Sequence, residues 1–176
     1  MCAQVLECME QCRKKEKIVI LNAAPARELP EEIYKGVHSL HVNEGEAAML
    51  TGFREDDIET NLGEVAEYFF TRGVENVIVT LGAKGVCWRT RGGRDGKVPA
   101  HKCQVKDTTA AGDTFAAGYA VWLALHGPDE IDAACKFANA AAALSVQKVG
   151  AQASMPFLSE VEKLAGEVGI LESLKR

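Results

Sequence analysis

Residues Lys106 to Gly118 read KDTTAAGDTFAAG. Two aspartates, two threonines and three small residues stand directly before a long, Ala-rich apolar run. If a helix starts near Gly112, its first amides have no intrahelical acceptor and its dipole places partial positive charge there. Ala110, Ala111 and Gly112 let backbone N–H groups approach an anion closely, which suits a phosphate in transfer. Asp113 then stands beside the bound anion. A carboxylate repels phosphate, but it is well placed to take a proton from a hydroxyl attacking that phosphate. The alternative is helix capping, because Asp and Thr also serve at helix starts simply to satisfy amides.

The flanking chain alternates short apolar runs with longer helical stretches. KIVILNA (17–23), HSLHVN (38–43), NVIVTLG (76–82) and VPAHKCQVKD (98–107) read as strands, and GVCWRT (85–90) pairs with the third of them. Helices are expected over 3–15, 31–36, 44–52, 56–72, 112–126, 129–147 and 156–168, with RGGRDGK (91–97) as a hairpin tip. Pro25 and Pro30 bracket a loop, Gly52 and Gly73 close two of the helices, and Gly127-Pro128 divides the last long pair. This order predicts an α/β fold with a mostly parallel sheet and helices on both faces. There is no internal repeat, low-complexity segment or linker, so residues 1–176 read as one domain.

Two further strand ends carry chemistry. VTLGAKG (79–85) runs a strand into a Gly-Ala-Lys-Gly turn, where ligand crevices form in open α/β sheets, and Lys84 can reach a phosphate. The plainer reading is a hairpin turn. HVNEGEAA (41–48) sets Asn43 and Glu46 one helical turn apart, able to hold a hydrated magnesium through water. The plainer reading is a helix start with Glu in its first turn. No GxxxxGK[ST] or GxGxxG motif is present, which argues against P-loop and dinucleotide-binding folds.

Bulk properties narrow the function. The net charge of −5 gives no basic field for nucleic acid or anionic lipid. No apolar run approaches the ~20 residues that span a bilayer. The six cysteines, at 2, 8, 12, 87, 103 and 135, form no CxxC pair, which suits free thiols and a cytoplasmic protein.

LNAAPARELP, VNEGEAAMLTG, VTLGAKGV, KDTTAAGDTF and FANAAAALSVQKVGAQASMP occur together in one order. On these motifs the chain resembles the phosphofructokinase-B-type (PfkB) sugar kinases, over essentially its whole length. DTTAAGDTF with GAQASMP is the most specific pair. The resemblance implies a ribokinase-like three-layer fold of which the N-terminal half and the lid are absent, the chain beginning in mid-domain. It implies ATP-dependent phosphorylation of a sugar hydroxyl, most simply of D-ribose to D-ribose 5-phosphate, with Asp113 as base at the sugar. Ala110, Ala111 and Gly112 become the anion hole. Asn43, Thr80, Leu81, Gly82, Ala83, Lys84, Gly85, Gly112 and Asn139 fall on the nucleotide site, and Asn43 and Glu46 on the magnesium motif. Asp107, Thr109, Ser145, Lys148, Gly150 and Ser154 are implied to hold potassium, several through backbone carbonyls. The expected partners are a nucleotide, a small sugar, and a second copy or a missing half over an exposed sheet edge. A module that binds nucleotide without catalysis is the competing expectation.

Overall fold

A computed structural model describes residues 2–167, with the side chains of Cys2, Ala3 and Glu167 excepted. The Cys2 thiol and the predicted end of the last helix at Val168 lie outside the described residues. Two compact units emerge: Met1–Gly82 with Cys87–Lys97, and Ala83–Val86 with Val98–Arg176.

In the first unit, β1 (Ile20–Asn22), β2 (Ser39–Asn43) and β3 (Asn76–Thr80) are parallel neighbours, and β4 (Val86–Thr90) and β5 (Asp95–Val98) complete a five-stranded sheet in the order β1-β2-β3-β4-β5. The central strands are buried on both faces, as the apolar runs over 38–43 and 76–82 require of a parallel sheet covered by helices. Their register sets Leu40 against Val77 and Asn43 against Thr80. Helices α1 (Cys2–Lys14), α2 (Glu31–Tyr34), α3 (Glu44–Thr51) and α4 (Leu62–Phe70) alternate with these strands. Leu40, Val42, Val77 and Val79 share one core with Ile33, Tyr34, Ala47, Ile58, Val65 and Phe69, every one nearly or wholly buried. Phe69 is the aromatic hub, with ring centroids 5.9 Å from Tyr34 and 5.1 Å from Tyr68. The β4–β5 hairpin turns at Gly93, whose φ of 85° favours glycine, and Arg91 Nη2 caps the end of α4 by donating to the carbonyls of Phe70 and Val74.

Two expected elements change. Residues 56–72 are not one helix: a 3₁₀ turn at Glu55–Asp57 precedes α4, which begins only at Leu62. Between them the Thr60 Oγ1 hydroxyl donates to the Asp57 carbonyl (3.0 Å), a local side-chain bond of the kind that competes with helical backbone bonding. The strand expected over 98–107 is also absent beyond Val98. Pro99 has no N–H for a ladder, and the Lys106 and Asp107 amides donate instead to the Val146 carbonyl (2.8 and 3.2 Å).

The second unit is built on α5 (Ala111–His126) and α6 (Ile131–Ser145), followed by α7 (Leu158–Glu167). The first two helices approach closely because small residues face each other. A Cβ added at Gly118 would lie 3.1 Å from Ala138 Cα and 3.2 Å from Ala141 Cβ. Farther along, Trp122 packs on Phe137 with ring centroids 5.0 Å apart. Among the described residues no helix is long and apolar enough to cross a membrane.

Candidate functional site

In the first unit the site residues gather at the C-terminal ends of β2 and β3. Asn43 and Thr80 are register partners there, and Thr80 Oγ1 lies 3.4 Å from the Val42 carbonyl. Asn43 caps α3: its Oδ1 accepts from the Glu46 amide at 2.7 Å, while Glu46 Oε2 accepts from the Asn43 amide at 2.8 Å. This reciprocal pair is the capping arrangement, and it fixes the amide and the carboxylate beside the strand ends. Among the described residues no three His, Cys, Asp or Glu side chains gather to hold a metal directly. The donor set therefore fits magnesium only in its usual mode, kept largely by phosphates and water with little from protein carboxylates. Beyond Thr80 come buried Leu81 and then Gly82 at φ 54°, which starts a short 3₁₀ turn through Lys84.

In the second unit the decisive segment is 107–113. Ala110 has φ 59° and ψ 15°, left-handed backbone that a residue with a Cβ rarely adopts. It turns the chain into α5, so the helix opens without a side-chain cap at that position. Of the expected anion-hole amides, Ala111 already donates to the Thr108 carbonyl at 3.1 Å. The next two, Gly112 and Asp113, occupy the positions a helix start leaves without intrahelical acceptors. A Cβ at Gly112 would meet nothing within 4 Å, so the side-chain direction at this residue is open. The Asp113 side chain is exposed one residue on, in the first turn of α5.

The residues implied for potassium lie partly together. Asp107 Oδ1 accepts from the Thr109 amide and hydroxyl (2.9 and 2.6 Å), and Oδ2 accepts from the Gly150 amide at 2.8 Å. These bonds, the Thr109 hydroxyl first, hold the Asp107 carboxyl down at a pKa of about 2. Ser145 and Ser154 are buried, and their hydroxyls donate to the carbonyls of Ala142 and Ala151 (2.9 and 2.7 Å). The Lys148 ammonium is engaged by Glu160 at 3.2 Å, leaving its backbone carbonyl as the group it can offer. Among these side chains Asp107 alone supplies a negative charge, and its carboxylate is a hard oxygen donor that suits a hard cation.

Asn139 is the residue whose surroundings sequence reasoning missed. It is buried on α6, and its Nδ2 donates to the carbonyls of Val98 (3.3 Å) and Pro99 (3.1 Å). The signal available in the sequence was Pro99, which ends the β5 ladder and leaves carbonyls that need donors.

Comparison with known proteins places these features in a family. Residues 1–158 match the pfkB family carbohydrate kinase description. The ribokinase of Haemophilus influenzae is 41% identical over 156 residues, covering 88% of this chain and 50% of that protein. The ribokinase of Bacillus subtilis is 41% identical over 159 residues, covering 90% and 50%. Among solved structures, Arabidopsis thaliana ribokinase complexed with ribose and ATP superposes with a TM-score of 0.86 at 31% identity, covering 93% of this chain and 52% of that one. The chain thus spans about half the length of the curated relatives it matches.

Proposed function

Because this chain belongs to the pfkB family of carbohydrate kinases, we propose that it carries the nucleotide site and the catalytic base of an ATP-dependent sugar kinase, with D-ribose as substrate. The observation that carries this reading is the start of α5: a left-handed Ala110, an open side-chain direction at Gly112, and the Asp113 carboxylate in the first turn. The amides of Gly112 and Asp113 stabilise the charge that accumulates on the phosphoryl oxygens. Asp113 accepts the proton of the attacking sugar hydroxyl as the new O–P bond forms and the bond to ADP breaks. Asn43 and Glu46 are the residues that would hold magnesium through water, and the ion would supply neutralisation of phosphate charge. Potassium is the fitting cation beside Asp107, where it would brace the segment leading into the amides. The relatives' greater length makes a further segment or a second chain the expected source of most sugar contacts.

The test is ribose-dependent ATP turnover by the purified chain, alone and with added copies or the relatives' missing segment, compared with Asp113→Asn. Loss of a proton acceptor should cut turnover by roughly 10²- to 10⁴-fold while leaving nucleotide affinity in place. Nucleotide binding with no turnover in any combination, unchanged by Asp113→Asn, favours the non-catalytic binding module instead.

A further inference from the structure

We propose that Asn139 is a positioning residue: its amide clamps the Val98–Ala100 backbone against Gly85, and that clamp sets the conformation of residues 83–86 for nucleotide binding. The inference rests on the proposed function in one respect only, that 83–86 border a nucleotide. It differs from a direct Asn139–adenine contact, because the two N–H bonds of the amide are already committed elsewhere.

Asn139 sits in α6 among Ala138, Ala140 and Ala141 and is 8% exposed. A buried amide in such apolar surroundings must find partners. Both acceptors are backbone carbonyls, Val98 and Pro99, so the nitrogen side of the amide must face them. Val98 is the last residue of β5, and the Pro99 carbonyl lies beyond the ladder that Pro99 breaks.

The same strip of backbone touches Gly85 on its other side. A Cβ built on Gly85 would stand 2.0 Å from the Val98 oxygen, 2.6 Å from the Ala100 nitrogen and 2.8 Å from the Pro99 carbonyl carbon. Gly85 also has φ 107°, which excludes ordinary side chains independently of space. The Val98 oxygen is therefore the common element: Asn139 donates to it, and Gly85 lies against it. Gly85 is buried whereas Ala83 and Lys84 are exposed, so the clamp anchors the inner end of an otherwise solvated turn. Glycine at 85 and asparagine at 139 thus serve one contact, although 54 positions separate them in the chain.

Two variants of Asn139 test this on the full chain. Asn139→Asp keeps the shape but turns oxygen toward two carbonyls. Asn139→Leu removes both donors without introducing a charge, and serves if the first does not fold. Hydrogen exchange at the amides of Gly85, Val86 and Ala100 should accelerate on the order of 10-fold, with Tyr119 and Trp122 unchanged. Affinities for Mg-ADP and Mg-GDP, measured by calorimetry, should both weaken by a similar factor, also on the order of 10-fold. Gly85→Ala should reproduce the exchange defect, and the Gly85→Ala/Asn139→Leu pair should fall short of the sum of the two. Unchanged exchange at Gly85, Val86 and Ala100 overturns the proposal. So does weakening confined to ADP, the mark of a direct base contact. If the wild-type chain binds neither nucleotide, the functional reading falls, and the exchange result alone decides the clamp.

Discussion

Acidification should destabilise this chain through one buried histidine. His41 lies in the middle of β2, 3% exposed, with Asn22 and Ile78 as its register partners on either side. Burial disfavours the imidazolium and pushes the His41 pKa down to about 3 from its ordinary 6.5. The unfolded chain takes up this proton near pH 6.5 and the folded chain does not, so the unfolded state gains on acidification. Stability is fully present above 6.5 and drains away as pH falls toward 3. Each pH unit in that window costs about 1.4 kcal/mol, hence about 2.7 kcal/mol at pH 4.5. That is a large share of the roughly 5–15 kcal/mol typical of a folded domain. The assay is urea unfolding of wild type and His41→Leu at pH 7.5, 6.5, 5.5 and 4.5. Other groups with displaced pKa values, His101, Asp107 and Glu160 among them, are common to both proteins and cancel in the difference. Wild type should lose about 2.7 kcal/mol more than the variant between pH 7.5 and 4.5. Equal pH slopes would refute the reasoning, since they would mean His41 is hydrated or charged in the folded state.

Packing between α5 and α6 makes a graded prediction. Gly118→Ala must open the helix pair by a few tenths of an ångström but gains about 1 kcal/mol of helix propensity, whereas Gly118→Val adds branched bulk at 3.1 Å from Ala138 Cα and should cost about 1–3 kcal/mol. Thermal unfolding should therefore rank valine well below alanine and wild type, and a neutral valine variant would deny the close approach. If potassium braces the Asp107 segment, nucleotide affinity should rise in potassium over sodium, and Asp107→Ala should abolish that preference. Full potassium dependence in Asp107→Ala, read by calorimetric titration in the two salts, would count against the cation site.

Much of this architecture can be read from residue order because local and tertiary preferences agree. Gly127-Pro128 leaves little choice about where α5 stops, and the observed ends of α5 and α6 fall within two residues of expectation. The Asn43–Glu46 spacing admits both a capping box and a magnesium motif. The structure realises the first without removing the second, because a cap placed at a strand end also presents its oxygens there. Residues 98–107 misled for a physical reason. Their apolar residues look like a strand, but Pro99 cannot extend a ladder, and the partners that hold the segment, Asn139 and Val146, lie about 40 residues away. No local pattern carries such distant hydrogen bonds. The break before α4 was closer to legible, because Asp57, Thr60 and Asn61 are residues that bond their own backbone. Ala110 is the opposite case: its position in the motif is plain, but a left-handed alanine is a property of the fold rather than of its composition.

The central claim is that this chain binds a nucleotide. The most direct measurement is calorimetric titration of a magnesium–ATP analogue into the purified chain in potassium buffer. Saturable binding, with a dissociation constant in about the micromolar range and one nucleotide per chain, is the predicted result. A folded chain that releases no heat with the analogue, and whose unfolding temperature the analogue does not raise, would contradict it.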